Sequence, residues 1–175
     1  HRVTIIPRSV GALGATLQLP TEERYLMTRS ELRDRLCVLM GGRTAEELVF
    51  RDASTGAEDD IQRATAIARQ MTARFGMSDE LGPVAFLHPD QRMLGDSELV
   101  QREFSEETAR TIDDEVKGLL TREHARAREV LTRRRAALEA VATQLIAHET
   151  LEREQLEAIV KAAELPRNGH QASHA

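Results

Sequence analysis

The residue with the clearest chemical promise is Asp60, the last of three acidic residues, Glu58, Asp59 and Asp60, in the first turn of a predicted helix that starts near Ser54 or Thr55 and stops at Gly76. The apolar stripe of that helix is Ile61, Ala64, Ile67, Ala68, Met71 and Phe75. At about 100° per residue, Asp60 falls beside Ala64, Ile67 and Met71, whereas Asp59 falls with Arg63, Ala66 and Gln70 on the wet side. An inward carboxylate must be paired, hydrogen-bonded or metal-bound, because isolating its charge in apolar surroundings costs on the order of several kcal/mol. Spacing alone leaves two readings open. Asp60 caps its own turn or pairs with an arginine, or it is a metal ligand or catalytic acid.

The remaining candidates are weaker. A catalytic zinc takes three protein ligands and keeps a fourth position for water. His1, His88, His124 and His148 are widely separated, and His170 and His174 lie in a polar tail, so the histidines supply no complete site. Cys37 sits in the apolar run Leu36 to Met40 and reads as a buried, reduced thiol. No G-x-x-x-x-G-K-[ST] string occurs, so nucleotide hydrolysis is not expected in this segment. Arg126, Arg128 and Arg133 to Arg135 read as a solvated helix face. With 24 basic and 29 acidic residues the chain has no global basic field for nucleic acid.

These groups have to be positioned by helices. Aromatics are only 3% and Trp is absent, which argues against a β-sandwich or barrel, while the Ala, Leu, Glu and Arg richness favours helix. Val3 to Ile6 and Leu13 to Leu19 read as two strands of a hairpin, too small to stand alone, that must lie on helices or pair with a further strand. Thr28 and Glu31 form a capping box for a helix with Leu32, Leu36, Leu39 and Met40 on its apolar face. Gly41 and Gly42 then break that helix or admit a close neighbour, and Thr44 with Glu47 is a second possible capping box. Residues 77–104 read as loop with a short strand at Val84 to Leu87. Ser105 caps a helical stretch running almost to Ala163, with joints near Thr132 and Thr150. The expected architecture is mainly α: a core over 1–104 with a small β-hairpin or sheet, a C-terminal helical bundle over 105–163, and a disordered tail over 164–175. No apolar stretch approaches the roughly 20 residues of a membrane span, so the chain is expected to be soluble. Because it opens directly before a strand, it is expected to be cut from a larger polypeptide.

The specific strings carry a resemblance. VTIIPR (residues 3–8), ALGAT (12–16), GGRTAEE (41–47), STGA (54–57) followed by DDI (59–61), GMS (76–78), LGP (81–83), ETA (107–109) and IDDEV (112–116), in this order and spacing, are similar to the peptidase domain of the FtsH family of membrane-anchored, ATP-dependent zinc metalloproteases. The likeness runs from about residue 1 to about residue 163. It implies a helical metallopeptidase domain, a homo-hexameric ring below an AAA ATPase module of the same polypeptide, unfolded and membrane proteins as substrates, and a parent protein on the cytoplasmic face of the inner membrane, held there by segments absent here. The implied cofactors are Zn2+ and, in the AAA module outside this chain, ATP.

The resemblance also assigns residues. It makes Asp60 the third zinc ligand, beside two histidines of an H-E-x-x-H helix. It makes Glu46 an acceptor for a ligand histidine and the strand through Ala12, Leu13, Gly14, Ala15 and Thr16 either the edge that pairs with an extended peptide or a plain structural strand. Gly41 and Gly42 would let their helix approach the H-E-x-x-H helix. That H-E-x-x-H string is missing from this sequence, and with it the two histidines and the glutamate that serves as general base. The chain by itself is therefore expected to be inert and to bind zinc weakly. The alternative is a protease-inactive homologue that serves as an oligomerisation or substrate-handling scaffold. Arg51 stands where the family pattern leads one to expect Gly.

Overall fold

The computed structural model describes residues 2–6, 26–87 and 104–164, and the backbone of 15–17. The chain divides into two compact units, one of residues 25–131 and one joining 1–24 to 132–175.

The 25–131 unit is helical. Helix α1 (Arg29–Leu39) starts where the capping box places it: Thr28 Oγ1 accepts from the Glu31 amide, and the Glu31 carboxylate accepts from the Thr28 amide at 2.7 Å. α1 ends at Met40, and α2 (Gly41–Phe50) follows at once. The Gly pair thus marks a break, and a Cβ at either glycine would meet nothing within 4 Å among the described residues. Thr44 does not cap a helix. α2 begins three residues earlier, and the Thr44 hydroxyl instead donates to the Met40 carbonyl at 2.6 Å. A 3-10 turn (Thr55–Ala57) leads into α3 (Glu58–Ala73), and α4 (Glu106–Arg133) is the longest element. Ser105 accepts from the Thr108 amide at 3.1 Å, as an N-cap does.

Three helices build the core of this unit. Leu32, Leu36 and Met40 of α1, Ala64, Ala68 and Met71 of α3, and Ile112, Val116, Leu119 and Ala127 of α4 form one buried cluster. Each large apolar side chain buried there contributes about 1.5–3 kcal/mol. Small alanines on α3 let α1 approach closely, which is why a stripe of modest hydrophobicity suffices. Cys37 is half-buried rather than fully buried, and removal of its thiol from water raises its pKa, partly offset by the nearby Arg126 charge. Val84 to Leu87 form no strand. Their backbone caps α3 instead, the amides of Phe86 and Leu87 both donating to the Ala73 carbonyl at 2.7 and 3.0 Å. A helix ends with carbonyls that lack intrahelical donors, and this segment supplies two.

The other unit centres on a three-stranded antiparallel sheet of order β2-β1-β3, with β1 at Arg2–Thr4, β2 at Ala15–Leu17 and β3 at Thr150–Glu152. β1 and β2 are the expected hairpin. The further strand it needs comes from the far end of the chain, with Val3 opposite Leu151 and Thr4 opposite Thr150. The Thr4 and Thr150 hydroxyls lie 2.9 Å apart, and Leu151 is fully buried. Helices α5 (Arg135–His148) and α6 (Arg153–Glu164) pack on each other and on β3. The helix boundaries near 132 and 150 fall at the expected joints. No helix among the described residues is long and apolar enough to cross a membrane.

Candidate functional site

Asp60 is the third residue of α3 and is half-buried, while Asp59 is exposed. One turn further on, Ala64 is fully buried, and Met71 lies almost so on the same stripe. Among the described residues the Asp60 side chain has no hydrogen-bond or ion-pair partner. The capping and arginine-pairing readings therefore find no support there. A carboxylate that is part-way out of water and unpaired has the donor character of a metal ligand.

Glu46 lies on α2 and is committed to one residue. Its Oε2 accepts from the Ser54 amide at 2.9 Å, and its Oε1 accepts from the Ser54 hydroxyl at 2.7 Å. Those two donors, the backbone one first, hold the Glu46 carboxyl below its ordinary range, assisted by the Arg43 charge. Ser54 Oγ in turn accepts from the Gly56 amide at 3.1 Å and so caps the 3-10 turn before α3. Sequence reasoning did not single out Ser54 for this pairing. Its signal was a serine ahead of Thr-Gly at the mouth of a helix, eight residues after a glutamate.

The adjacent glutamate, Glu47, faces the other way and joins α2 to α4. It accepts from Arg43 at 3.0 Å, lies 3.1 Å from His124 Nε2 and pairs with Arg128. A second carboxylate, Glu123, is fully buried and bridges Arg33 of α1 at 2.6 Å and Arg126 of α4 at 3.2 Å. Arg126 also reaches Asp34 at 2.5 Å. Glu123 continues the buried spacing Ile112, Val116, Leu119 along α4, so the helical wheel carried that signal too.

Of the five residues expected to line a peptide-binding edge, Ala12, Leu13 and Gly14 lie outside the described residues. Ala15 and Thr16 are in β2, which among the described strands is at an edge of the sheet in the order β2-β1-β3. Among the described residues no group of three His, Cys, Asp or Glu side chains could hold a metal ion. Asp60 thus stands without companion ligands among the described residues.

Comparison with known proteins bears on the family. The sequence model described as peptidase family M41 matches residues 1–159. The chain is 48% identical over 162 residues to a protein of Pseudothermotoga lettingae named ATP-dependent zinc metalloprotease FtsH, covering 92% of this chain and 26% of the relative. It is 51% identical over 168 residues to the protein of that name from Pseudomonas putida, covering 95% and 27%, and 46% identical over 161 residues to that from Thermotoga maritima, covering 91% and 26%. The chain thus spans about a quarter of the length of these curated relatives.

Proposed function

The chain belongs to peptidase family M41, and from that premise we propose that it is the greater part of the peptidase domain of an ATP-dependent zinc endopeptidase, with Asp60 as the zinc ligand it contributes. The observation that carries the assignment of Asp60 is its half-buried carboxylate, unpartnered among the described residues, at the head of α3. The donor chemistry fits: an anionic oxygen held on a rigid helix is a suitable third ligand beside two imidazoles. Those imidazoles, and the glutamate that takes the proton from water, would come from an H-E-x-x-H helix outside this sequence. Zinc in such a site activates water and polarises the scissile carbonyl.

The chain's own residues then have separable tasks. Asp60 adds negative charge to the metal site from a helix whose rotation is fixed by Ala64, Ala68 and Met71. The outer edge of β2 offers backbone donors and acceptors at regular spacing to an extended peptide, a mode that tolerates many sequences and suits unfolded substrates. The relatives' name, ATP-dependent zinc metalloprotease, supports ATP dependence. Assembly as a hexamer with an AAA module of the same polypeptide, anchorage of the parent at the cytoplasmic face of the inner membrane, and membrane proteins among its substrates belong to the same reading and rest on the family likeness.

The test is Asp60→Asn in the full-length protein, assayed on an unstructured protein substrate with ATP. The expected result is loss of more than about 100-fold of proteolysis, beyond what removal of a supporting residue costs, with ATP hydrolysis retained and folding unchanged. Proteolysis within twofold of the parent rules Asp60 out as a ligand. A parent protein that is itself inactive, with zinc present, moves the assignment to the scaffold reading.

A further inference from the structure

We infer that Ser54 and Glu46 act together as positioning residues for Asp60, fixing the turn from which α3 starts; this rests on the reading of Asp60 as a zinc ligand. The core fixes α3 only from Ala64 onward, one turn beyond Asp60. Ahead of that point Asp60 depends on the 3-10 turn, where Ala57 is buried and Ser54 is the N-cap. From α2, Glu46 holds this segment through the two hydrogen bonds it accepts from Ser54.

The geometry makes this a clamp rather than a lone contact. Glu46 occupies both the amide and the hydroxyl of Ser54, and the same hydroxyl accepts from the Gly56 amide. Three bonds converge on one residue and define where the chain stops being extended, at Ser54 with φ −92° and ψ 176°, and starts to coil. A Cβ on Gly56 would stand 3.2 Å from Ser54 Oγ and 3.7 Å from Glu46 Oε1, so the turn is closed tightly around the clamp. Release of the clamp lets the first turn of α3 fray, and Asp60 is in that turn. A supporting hydrogen bond lost next to a ligand typically lowers metal affinity about 10–100-fold.

The experiment measures zinc affinity of the full-length protein by competition with a chelator, using Zn2+ alone, for Glu46→Ala, Ser54→Ala, Ser54→Thr, the Glu46→Ala/Ser54→Ala double variant and Asp60→Asn. The expected result is about tenfold weaker zinc for Glu46→Ala and a smaller loss for Ser54→Ala. Ser54→Thr, which keeps the hydroxyl, is near the parent, and the double variant shows losses that do not add. Melting temperatures within a few degrees of the parent separate this from general unfolding. If Asp60→Asn abolishes zinc binding while both alanine variants bind as the parent does, the clamp is refuted and the ligand assignment stands. If Glu46→Ala weakens zinc but Ser54→Ala does not, Glu46 acts on another partner and the clamp is likewise refuted. If Asp60→Asn leaves zinc affinity unchanged, the reading beneath the clamp fails.

Discussion

Two carboxylates in the 25–131 unit are placed in opposite circumstances. Glu123, on α4, is removed from solvent altogether and is held by Arg33 and Arg126. Asp60, at the head of α3, is only half out of water, yet among the described residues nothing pairs with it. A fold that neutralises one inward carboxylate on two sides and leaves another open is using them differently. Glu123 ties α1 to α4, whereas Asp60 holds no other element among the described residues and is free to serve the ligand role proposed for it.

The contrast predicts opposite costs of deletion. Glu123→Ala leaves Arg33 and Arg126 without their common partner and opens a space between α1 and α4, so destabilisation of about 3 kcal/mol is expected by urea denaturation. Both arginines are nearly half-exposed and regain water, which keeps the loss at the lower end of what breaking a buried pair costs. Asp60→Ala removes no partner among the described residues and should shift stability by less than about 0.5 kcal/mol. Equal losses at the two positions would break the comparison.

A smaller effect sharpens it from the backbone side. Arg51 closes α2 in the left-handed region, at φ 58° and ψ 24°, where a Cβ is strained and Gly is preferred. The Gly expected from the family pattern therefore has a physical reason, and Arg51→Gly should stabilise the fold. The gain is at most about 1 kcal/mol, because the added glycine also widens the unfolded ensemble. A lower denaturation midpoint for Arg51→Gly would show that the Arg51 side chain contributes more than its backbone costs.

What the sequence made legible was local. The capping box of Thr28 and Glu31 spans four residues, the stripe from Asp60 to Met71 spans twelve, and both are local features of a helix. β3 was hidden because Thr150 to Glu152 is a short run between two helices, and its pairing with β1 spans almost the whole chain. Glu123 lay in plain view on the stripe of α4, but its partner Arg33 is ninety residues away and helical spacing cannot supply it. Val84 to Leu87 carries the composition of a strand, yet the nearest unsatisfied groups are the last carbonyls of α3 rather than another strand edge. The helix face of Asp60 was legible in the sequence, while the pairing of Glu46 with Ser54 needed the fold.

The smallest effect concerns that clamp and is read as a function of pH. The amide and hydroxyl of Ser54 favour the ionised form of Glu46 and lower its pKa from the ordinary 4.5. A carboxyl whose pKa is lower folded than unfolded binds more protons in the unfolded state. Its contribution is thus complete above the unfolded value and is lost as pH falls through the folded one. Asp79, held down by two 2.8 Å bonds from Arg29, follows the same rule from a lower ordinary value of 3.8. Acid unfolding of the parent should therefore steepen below about pH 4.5, and Glu46→Gln should flatten the upper part of that limb while Asp79→Asn flattens the lower. An acid limb unchanged by Glu46→Gln would mean that the Ser54 bonds do not hold the Glu46 carboxyl down in the folded protein.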